Sequence, residues 1–197
     1  MREQRLSVQG EEVKSFSVGR SYPKKFRAFA YALKKEFGAS HEFVTWKDDL
    51  GLRWVAEARG GGVRMLSNVE FKEINFITDL YEYEVEDEDF KNVITYLWSS
   101  MSKKYGTKQI AGLAIMRGLN TFSKAVRWGR KFTNWFRDGD FSLICCELSL
   151  NAVRIGKKIT LPSNVENYDL DDSRKFHEKW GIIAPEDKIK RINGETL

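Results

Sequence analysis

The sequence has few of the features that mark several large protein classes. It holds 3 prolines and 15 glycines in 197 residues, which excludes collagen-like and proline-rich chains. No apolar run approaches the roughly 20 residues of a membrane span, so we predict no transmembrane segment. The first residues lack the apolar core of a secretory signal peptide. We therefore expect a cytoplasmic location, in the producing cell or, for a bacteriophage-encoded protein, in the host cell.

Cysteine and histidine are also scarce. The 2 cysteines, Cys145 and Cys146, are adjacent, and a disulfide between neighbouring residues strains the peptide that joins them. Together with the 2 histidines, His41 and His177, they cannot form the usual structural zinc sites. We therefore predict no disulfide, no metal and no cofactor, with reduced thiols as in a cytosolic protein. His177 lies in a charged segment and is expected to face solvent without a functional role.

Charge is unevenly distributed along the chain. The formal net charge is +5, yet Glu82–Asp89 contains 6 acids and no base. The segment Lys103–Arg137 contains 9 bases and no acid, interleaved with aromatic residues. Such a composition is typical of surfaces that bind nucleic acid or another anionic surface. No repeat or linker divides the chain, so we predict one domain over residues 1–197, with a basic aromatic insertion at about 112–137 and a polar C-terminal tail at about 163–197.

The spacing of apolar residues predicts an α+β fold. A hydrophobic content of 42% is sufficient for a sizeable core. Helices are predicted at Lys24–Phe37, Asp87–Ser102 and Leu143–Ile155, with a further short helix after Pro185. Strands are predicted at Glu42–Trp46, Arg53–Ala58, Val63–Leu66 and Leu80–Val85. Asp140 or Ser142 is expected to cap the third helix, and Gly156 to end it. We expect a small antiparallel sheet packed on helices.

Three residues in this arrangement have the chemistry of a cysteine hydrolase. Cys145 lies at the start of a predicted helix, where the positive end of the helix dipole favours the reactive thiolate. His41 starts a predicted strand and can act as the base that partners the thiol. Glu57 lies near the end of the next strand and can orient the imidazole if the two strands pair. Gly60–Gly62 is expected to connect strands near the rim of this site.

The residues around these positions occur in an order that resembles a known superfamily. The segments are Ser40-His-Glu-Phe-Val44, Trp54-Val-Ala-Glu-Ala58, Gly62-Val63 and Leu143-Ile-Cys-Cys-Glu-Leu148. They resemble the circularly permuted papain-like cysteine hydrolases related to NlpC-type peptidases, including the YiiX-like proteins. The resemblance implies a permuted papain-like fold in which Cys145 is the nucleophile, His41 the base and Glu57 the third polar member.

The sequence departs from the family pattern at two places. Cys146 stands where the family has serine, so Cys146 is the alternative nucleophile. Cys145 is preferred because the other register would displace Glu147 and Leu148 by one position. Family members often carry a Tyr-Asp pair in the loop after the long helix, where this sequence has Lys108-Gln109.

Several functions are consistent with these patterns. The first is a cysteine peptidase or amidase that cleaves a peptide amide, such as that of a cell-wall stem peptide. A second, on the same triad, is a lipid acyl-ester hydrolase or acyltransferase. A third is a module without catalysis that binds nucleic acid or an anionic surface through Lys103–Arg137. The intact set Cys145, His41 and Glu57 argues against an assembly protein that has lost its activity.

Overall fold

The computed structural model describes residues 13–25, 28–105, 142–161 and 170–193. Within these ranges the chain forms six helices and eight strands. The helices are α1 (Ala28–Phe37), α2 (Asn68–Ile74), α3 (Asp87–Ser100), α4 (Cys145–Lys157), α5 (Leu170–Trp180) and α6 (Glu186–Asn193). The strands are β1 (Lys14–Pro23), β2 (His41–Lys47), β3 (Arg53–Arg59), β4 (Gly62–Ser67), β5 (Asn75–Val85), β6 (Lys104–Tyr105), β7 (Ser142–Leu143) and β8 (Ile182–Ile183).

Six of these strands form one antiparallel sheet. Their order is β4-β3-β2-β1-β5-β8, and β6 and β7 form a separate parallel pair. Val44 and Ala56 of the sheet share a buried apolar cluster with Leu148 and Val153 of α4. The predicted α+β class, an antiparallel sheet packed on helices, is thereby confirmed. None of the helices in the described ranges is both long and apolar enough to cross a bilayer.

The turn between β2 and β3 sets the register of the two strands. Asp48 accepts hydrogen bonds at one carboxylate oxygen from the backbone N–H groups of Leu50 and Leu52, and at the other from Trp54 Nε1. Gly51 has a φ of 79°, a conformation that glycine adopts without steric cost. The strands predicted on either side of this turn, Glu42–Trp46 and Arg53–Ala58, pair as an antiparallel hairpin that aligns Phe43 with Glu57.

Strand β1 lies between β2 and β5 and was not predicted. Its sequence, Lys14 to Pro23, includes buried polar side chains at Ser17, Arg20 and Ser21 in place of an apolar run. Gly19 is required because the Phe43 ring of β2 occupies the position of a side chain, with Cζ 2.1 Å from where a Cβ would stand. The strand therefore depends on close packing with its neighbours rather than on an apolar pattern.

Helix α4 differs at both ends from the predicted helix. It begins at Cys145, with Ile144 as its N-cap, and Ser142 lies in β7; Asp140 lies outside the described residues. It passes through Gly156 and ends at Lys157, followed by Lys158 as the C-cap with a left-handed φ of 52°. Gly156 instead allows close packing, since a Cβ there would stand 2.7 Å from the Phe16 ring. The glycine therefore seats the helix against β1.

The described part of the C-terminal tail, residues 170–193, is joined to the sheet. β8 pairs with β5, and the backbone N–H of Ala184 donates to the carbonyl of Leu80 at 2.8 Å. The amide side chain of Asn193 binds both the N–H and the carbonyl of Ile77. The prediction that His177 faces solvent is wrong: on α5 it is completely buried. Its ring lies against Tyr81 of β5 because the helix packs on the sheet.

Candidate active site

The nucleophile candidate Cys145 is the first residue of α4. The N-terminal end of a helix carries unsatisfied N–H groups and a partial positive charge, which stabilise a thiolate. Glu147 accepts the backbone N–H of Ile144 at 3.4 Å and so holds this helix end. Neither Cys145 nor Cys146 forms a disulfide, and both are buried, with 7% and 3% of their surfaces exposed. Cys146 is part of the main core, as expected for the residue one helical step further on.

The base candidate His41 is the first residue of β2, where it pairs with Ser21 of β1. Its imidazole Nε2 lies 2.7 Å from Oε2 of Glu57. The side chains of His41 and Cys145 also interact, and each shifts the pKa of the other. Since Nε2 is used by Glu57, Nδ1 is left for the thiol. The strand start and the helix start therefore meet at one point, with the imidazole between sulfur and carboxylate.

The carboxylate of Glu57 is fully buried and its two oxygens have separate partners. Oε2 faces His41, whereas Oε1 accepts from both Nε (2.7 Å) and Nη2 of Arg64. Arg64 is the direct cross-strand neighbour of Glu57 on β4. Burial raises the pKa of Glu57, but the hydrogen bonds and charges of His41 and Arg64 outweigh it and lower the pKa to about 2. Glu57 is therefore ionised at neutral pH.

The surroundings of Cys145 and His41 favour a charged pair. The largest influence on the pKa of the Cys145 thiol is a hydrogen bond with Cys146, which lowers the pKa. Burial raises the pKa, but the hydrogen bond and charge of His41 lower it further, and the resulting pKa is about 5. Burial alone would lower the pKa of His41, but the hydrogen bonds and charges of Cys145 and Glu57 raise it to about 9. Thiolate and imidazolium therefore coexist at neutral pH, and the two groups titrate as a pair.

A second buried polar cluster lies beside this pair. Glu42, the residue after His41, accepts at Oε2 from Ser149 Oγ of α4 (2.7 Å) and Ser173 Oγ of α5 (2.9 Å). Because Ser173 gives its one hydroxyl proton to Glu42, its 3.2 Å contact with Nε2 of His177 requires a proton on that nitrogen. Tyr83 Oη contacts Nδ1 of the same ring at 2.6 Å. The cluster joins β2, α4, α5 and β5.

Glu42 is ionised in this cluster although it is buried. Burial raises the pKa of Glu42. The hydrogen bonding and charge of His177 lower the pKa, the hydroxyls of Ser149 and Ser173 lower it further by hydrogen bonding, and the net pKa lies below the ordinary value. Its negative charge acts on Cys145 in the direction that raises the thiol pKa. The cluster thus anchors α4 to β2 at Ser149, one turn after Cys145. The charge of Glu42 also limits how far the pKa of the thiol falls.

The structure brings together all three residues chosen from the sequence. Sequence reasoning missed Arg64 and the Glu42 cluster. Arg64 had a usable signal, because a hairpin folded at Gly60-Gly61 places an arginine and a glutamate directly opposite each other. Most of the basic segment Lys103–Arg137, including the predicted insertion and Lys108-Gln109, lies outside the described residues. Within the described ranges no group of three His, Cys, Asp or Glu side chains could hold a metal ion.

Comparisons with models of protein families, with curated proteins and with solved structures each find no match to this chain.

Proposed function

We propose that this protein is a cysteine hydrolase that cleaves an amide bond through Cys145, His41 and Glu57. One observation carries the proposal: a thiol at a helix N-terminus interacts with an imidazole whose Nε2 lies 2.7 Å from a buried, ionised carboxylate. An activated nucleophile, its base and a group that orients the base are the parts that acyl transfer requires. Folding alone requires no such combination.

In the first step the Cys145 thiolate attacks the carbonyl carbon of the amide. A carbon–sulfur bond forms, and the carbonyl π electrons move to oxygen. The start of α4 presents backbone N–H groups beside Cys145, and such groups can stabilise an oxyanion that develops next to them. The thiolate already exists at neutral pH, and the attack therefore needs no prior deprotonation.

The tetrahedral intermediate collapses by breaking the carbon–nitrogen bond. The imidazolium of His41 gives its Nδ1 proton to the leaving amine, and a thioester on Cys145 remains. Neutral His41 then takes a proton from water, whose oxygen attacks the thioester carbon. The carbon–sulfur bond breaks, the acid product leaves and the thiolate–imidazolium pair is restored. Glu57 keeps the ring oriented throughout and stabilises its positive charge.

The resemblance to papain-like hydrolases supports a peptide substrate, including a cell-wall stem peptide. An acyl ester reacts through the same steps with an alcohol as leaving group, and an acyltransferase replaces water with another acceptor. All of these substrates would react with Cys145, and they differ in the acyl group that reaches it. A screen with a peptide-like and an acyl electrophile therefore tests the proposed function and distinguishes the two substrate classes.

The experiment compares the native chain with Cys145→Ala and, as the matched control, Cys146→Ala. Each is treated with a peptide-like electrophile and with a lipid-like acyl electrophile under reducing conditions. We expect the peptide-like probe to label the native chain and Cys146→Ala but not Cys145→Ala. Labelling by the acyl probe alone would assign an ester substrate. If folded, reduced protein reacts with neither probe, the hydrolase proposal is wrong and salt-dependent binding to single-stranded DNA becomes the next test.

A further inference from the structure

Arg64 is the partner of Glu57 that the proposed reaction does not itself use. It lies on β4, the edge strand of the sheet, directly across from Glu57 on β3. Both Nε and Nη2 of its guanidinium donate to the single oxygen Oε1 of Glu57. The other oxygen, Oε2, is the one that binds His41. Each oxygen of the carboxylate therefore has its own assigned partner.

A buried carboxylate needs this division because an unsatisfied charged oxygen is costly away from water. Among the described residues the other cation near Oε1 is Arg59, whose Nη1 lies 3.7 Å away, beyond hydrogen-bond distance. If Arg64 were absent, no described side chain would hold Oε1 at hydrogen-bond distance, and the carboxylate could rotate towards Arg59 or solvent. That rotation moves Oε2 away from the imidazole. The guanidinium therefore fixes the direction in which Oε2 points.

The guanidinium makes this contact from a partly exposed position on the edge strand of the sheet. Its side chain is 47% exposed, while Glu57 is fully buried. The planar guanidinium directs two N–H groups at Oε1 in a fixed geometry, whereas the ammonium of lysine is a single point charge on a flexible stem. Because Arg64 contributes little to the core, its removal opens a space that is accessible from solvent and leaves the sheet intact.

We infer that Arg64 is a positioning residue for the proposed reaction: by binding Oε1 of Glu57 it holds Oε2 against the His41 imidazole, and through it the Cys145 thiolate. The inference rests on the proposed function. It extends the chain of contacts from Cys145 through His41 and Glu57 to the protein surface. An edge-strand arginine then controls the reactivity of a buried thiol that it does not touch.

The test measures how fast iodoacetamide alkylates Cys145 near pH 6, by mass spectrometry, so that no substrate needs to be known. The variants are Arg64→Ala, Arg64→Lys and, as the control, Arg59→Ala. The control removes the same positive charge near Glu57 but no hydrogen bond to its carboxylate. We expect Arg64→Ala to slow alkylation about tenfold, the size of effect that follows loss of an outer hydrogen-bonding partner at metal-bound histidines. Arg64→Lys should recover only part of this rate, and Arg59→Ala should stay within about twofold of native.

Chemical rescue separates positioning from general stability. Guanidinium at a millimolar, non-denaturing concentration should enter the space left in Arg64→Ala and restore alkylation, whereas sodium chloride of equal ionic strength should not. Native rates in both Arg64 variants would overturn the inference, as would an equal loss in Arg59→Ala or a loss that guanidinium does not reverse. If instead Cys145 of the native chain reacts no faster than an ordinary thiol, the proposed function itself has failed.

Discussion

His41 and Glu57 are joined by a buried contact of 2.7 Å between Nε2 and Oε2, although 16 positions separate them in the sequence. The contact depends on the β2–β3 hairpin, whose turn at Asp48 fixes which residues face each other. A histidine bound in this way by an ionised carboxylate is held in one orientation and retains its proton to higher pH. Its other nitrogen is thereby committed to the thiol of Cys145.

Replacing Glu57 with glutamine should lower the activity without abolishing it. Glutamine matches the volume and keeps an oxygen acceptor for Nε2, but it removes the negative charge that stabilises the imidazolium. We expect turnover to fall on the order of 10- to 100-fold, and the pH midpoint of Cys145 alkylation to rise. Steady-state kinetics and alkylation against pH measure the two effects. Glu73→Gln, at an exposed glutamate, serves as the control, and an unmoved midpoint in Glu57→Gln would contradict the assigned role.

The reactive pH range should be broad and displaced towards acid. The thiolate of Cys145 forms as pH rises through about 5, and the imidazolium of His41 is lost only as pH rises through about 9. An ordinary cysteine forms its thiolate near pH 8.5. Alkylation of Cys145 should therefore reach half its maximum near pH 5, and turnover should stay level between the two values. A midpoint of alkylation near that of an ordinary thiol would refute the charged pair.

Cys146→Ala should leave a working but less acidic nucleophile. The hydrogen bond with Cys146 is the largest influence that lowers the pKa of Cys145, so its loss should move the alkylation midpoint of Cys145 to higher pH. Turnover near neutral pH should persist, because the nucleophile and His41 remain. Peptide mapping after limited alkylation identifies the labelled residue in each variant. Complete loss of turnover in Cys146→Ala, with activity kept in Cys145→Ala, would reverse the assignment of the nucleophile.

His177→Ala should destabilise the protein. The native ring is fully buried and contacts Tyr83, Ser173 and Glu42, so truncation leaves buried polar atoms unpaired and opens a cavity. We expect the free energy of unfolding to fall by about 2 to 4 kcal/mol, measured by urea denaturation. Lys179→Ala, at an exposed position on the same helix, should change it by less than about 0.5 kcal/mol. Equal stability of the two variants would show that the cluster is unimportant for folding.

The sequence predicted those parts of the fold whose signals are local. The β2–β3 hairpin follows from the polar turn between two apolar runs, and α3 follows from its acidic first turn. Helix α2 had a readable signal that was not used: Ser67 and Glu70 form a capping box. Strand β1 had none, because a fully buried Arg20 takes the place of an apolar residue; its guanidinium binds Asp79 and the carbonyl of Phe37 instead of water.

The candidate site was predictable only where residue type limited the choice. A chain with two cysteines and two histidines offers few pairs, so Cys145 and His41 could be selected from their places at element starts. The Glu42 cluster could not be found in this way, because its carboxylate joins Ser149 and Ser173, which are 107 and 131 positions away. Serine, glutamate and histidine at such separations carry no pattern until the helices pack.

The order of the chain has a consequence for synthesis. His41, Glu57 and Arg64 all lie within the hairpins β2 to β4, and the chain leaves the ribosome from its N-terminus. The base, its carboxylate and the arginine have therefore all been made before Cys145 is added, and Ser173, which braces the cluster beside them, comes later still. Cys145 is therefore added to the chain only after the residues that favour its thiolate form. Every nascent chain that contains the thiol also contains His41, Glu57 and Arg64.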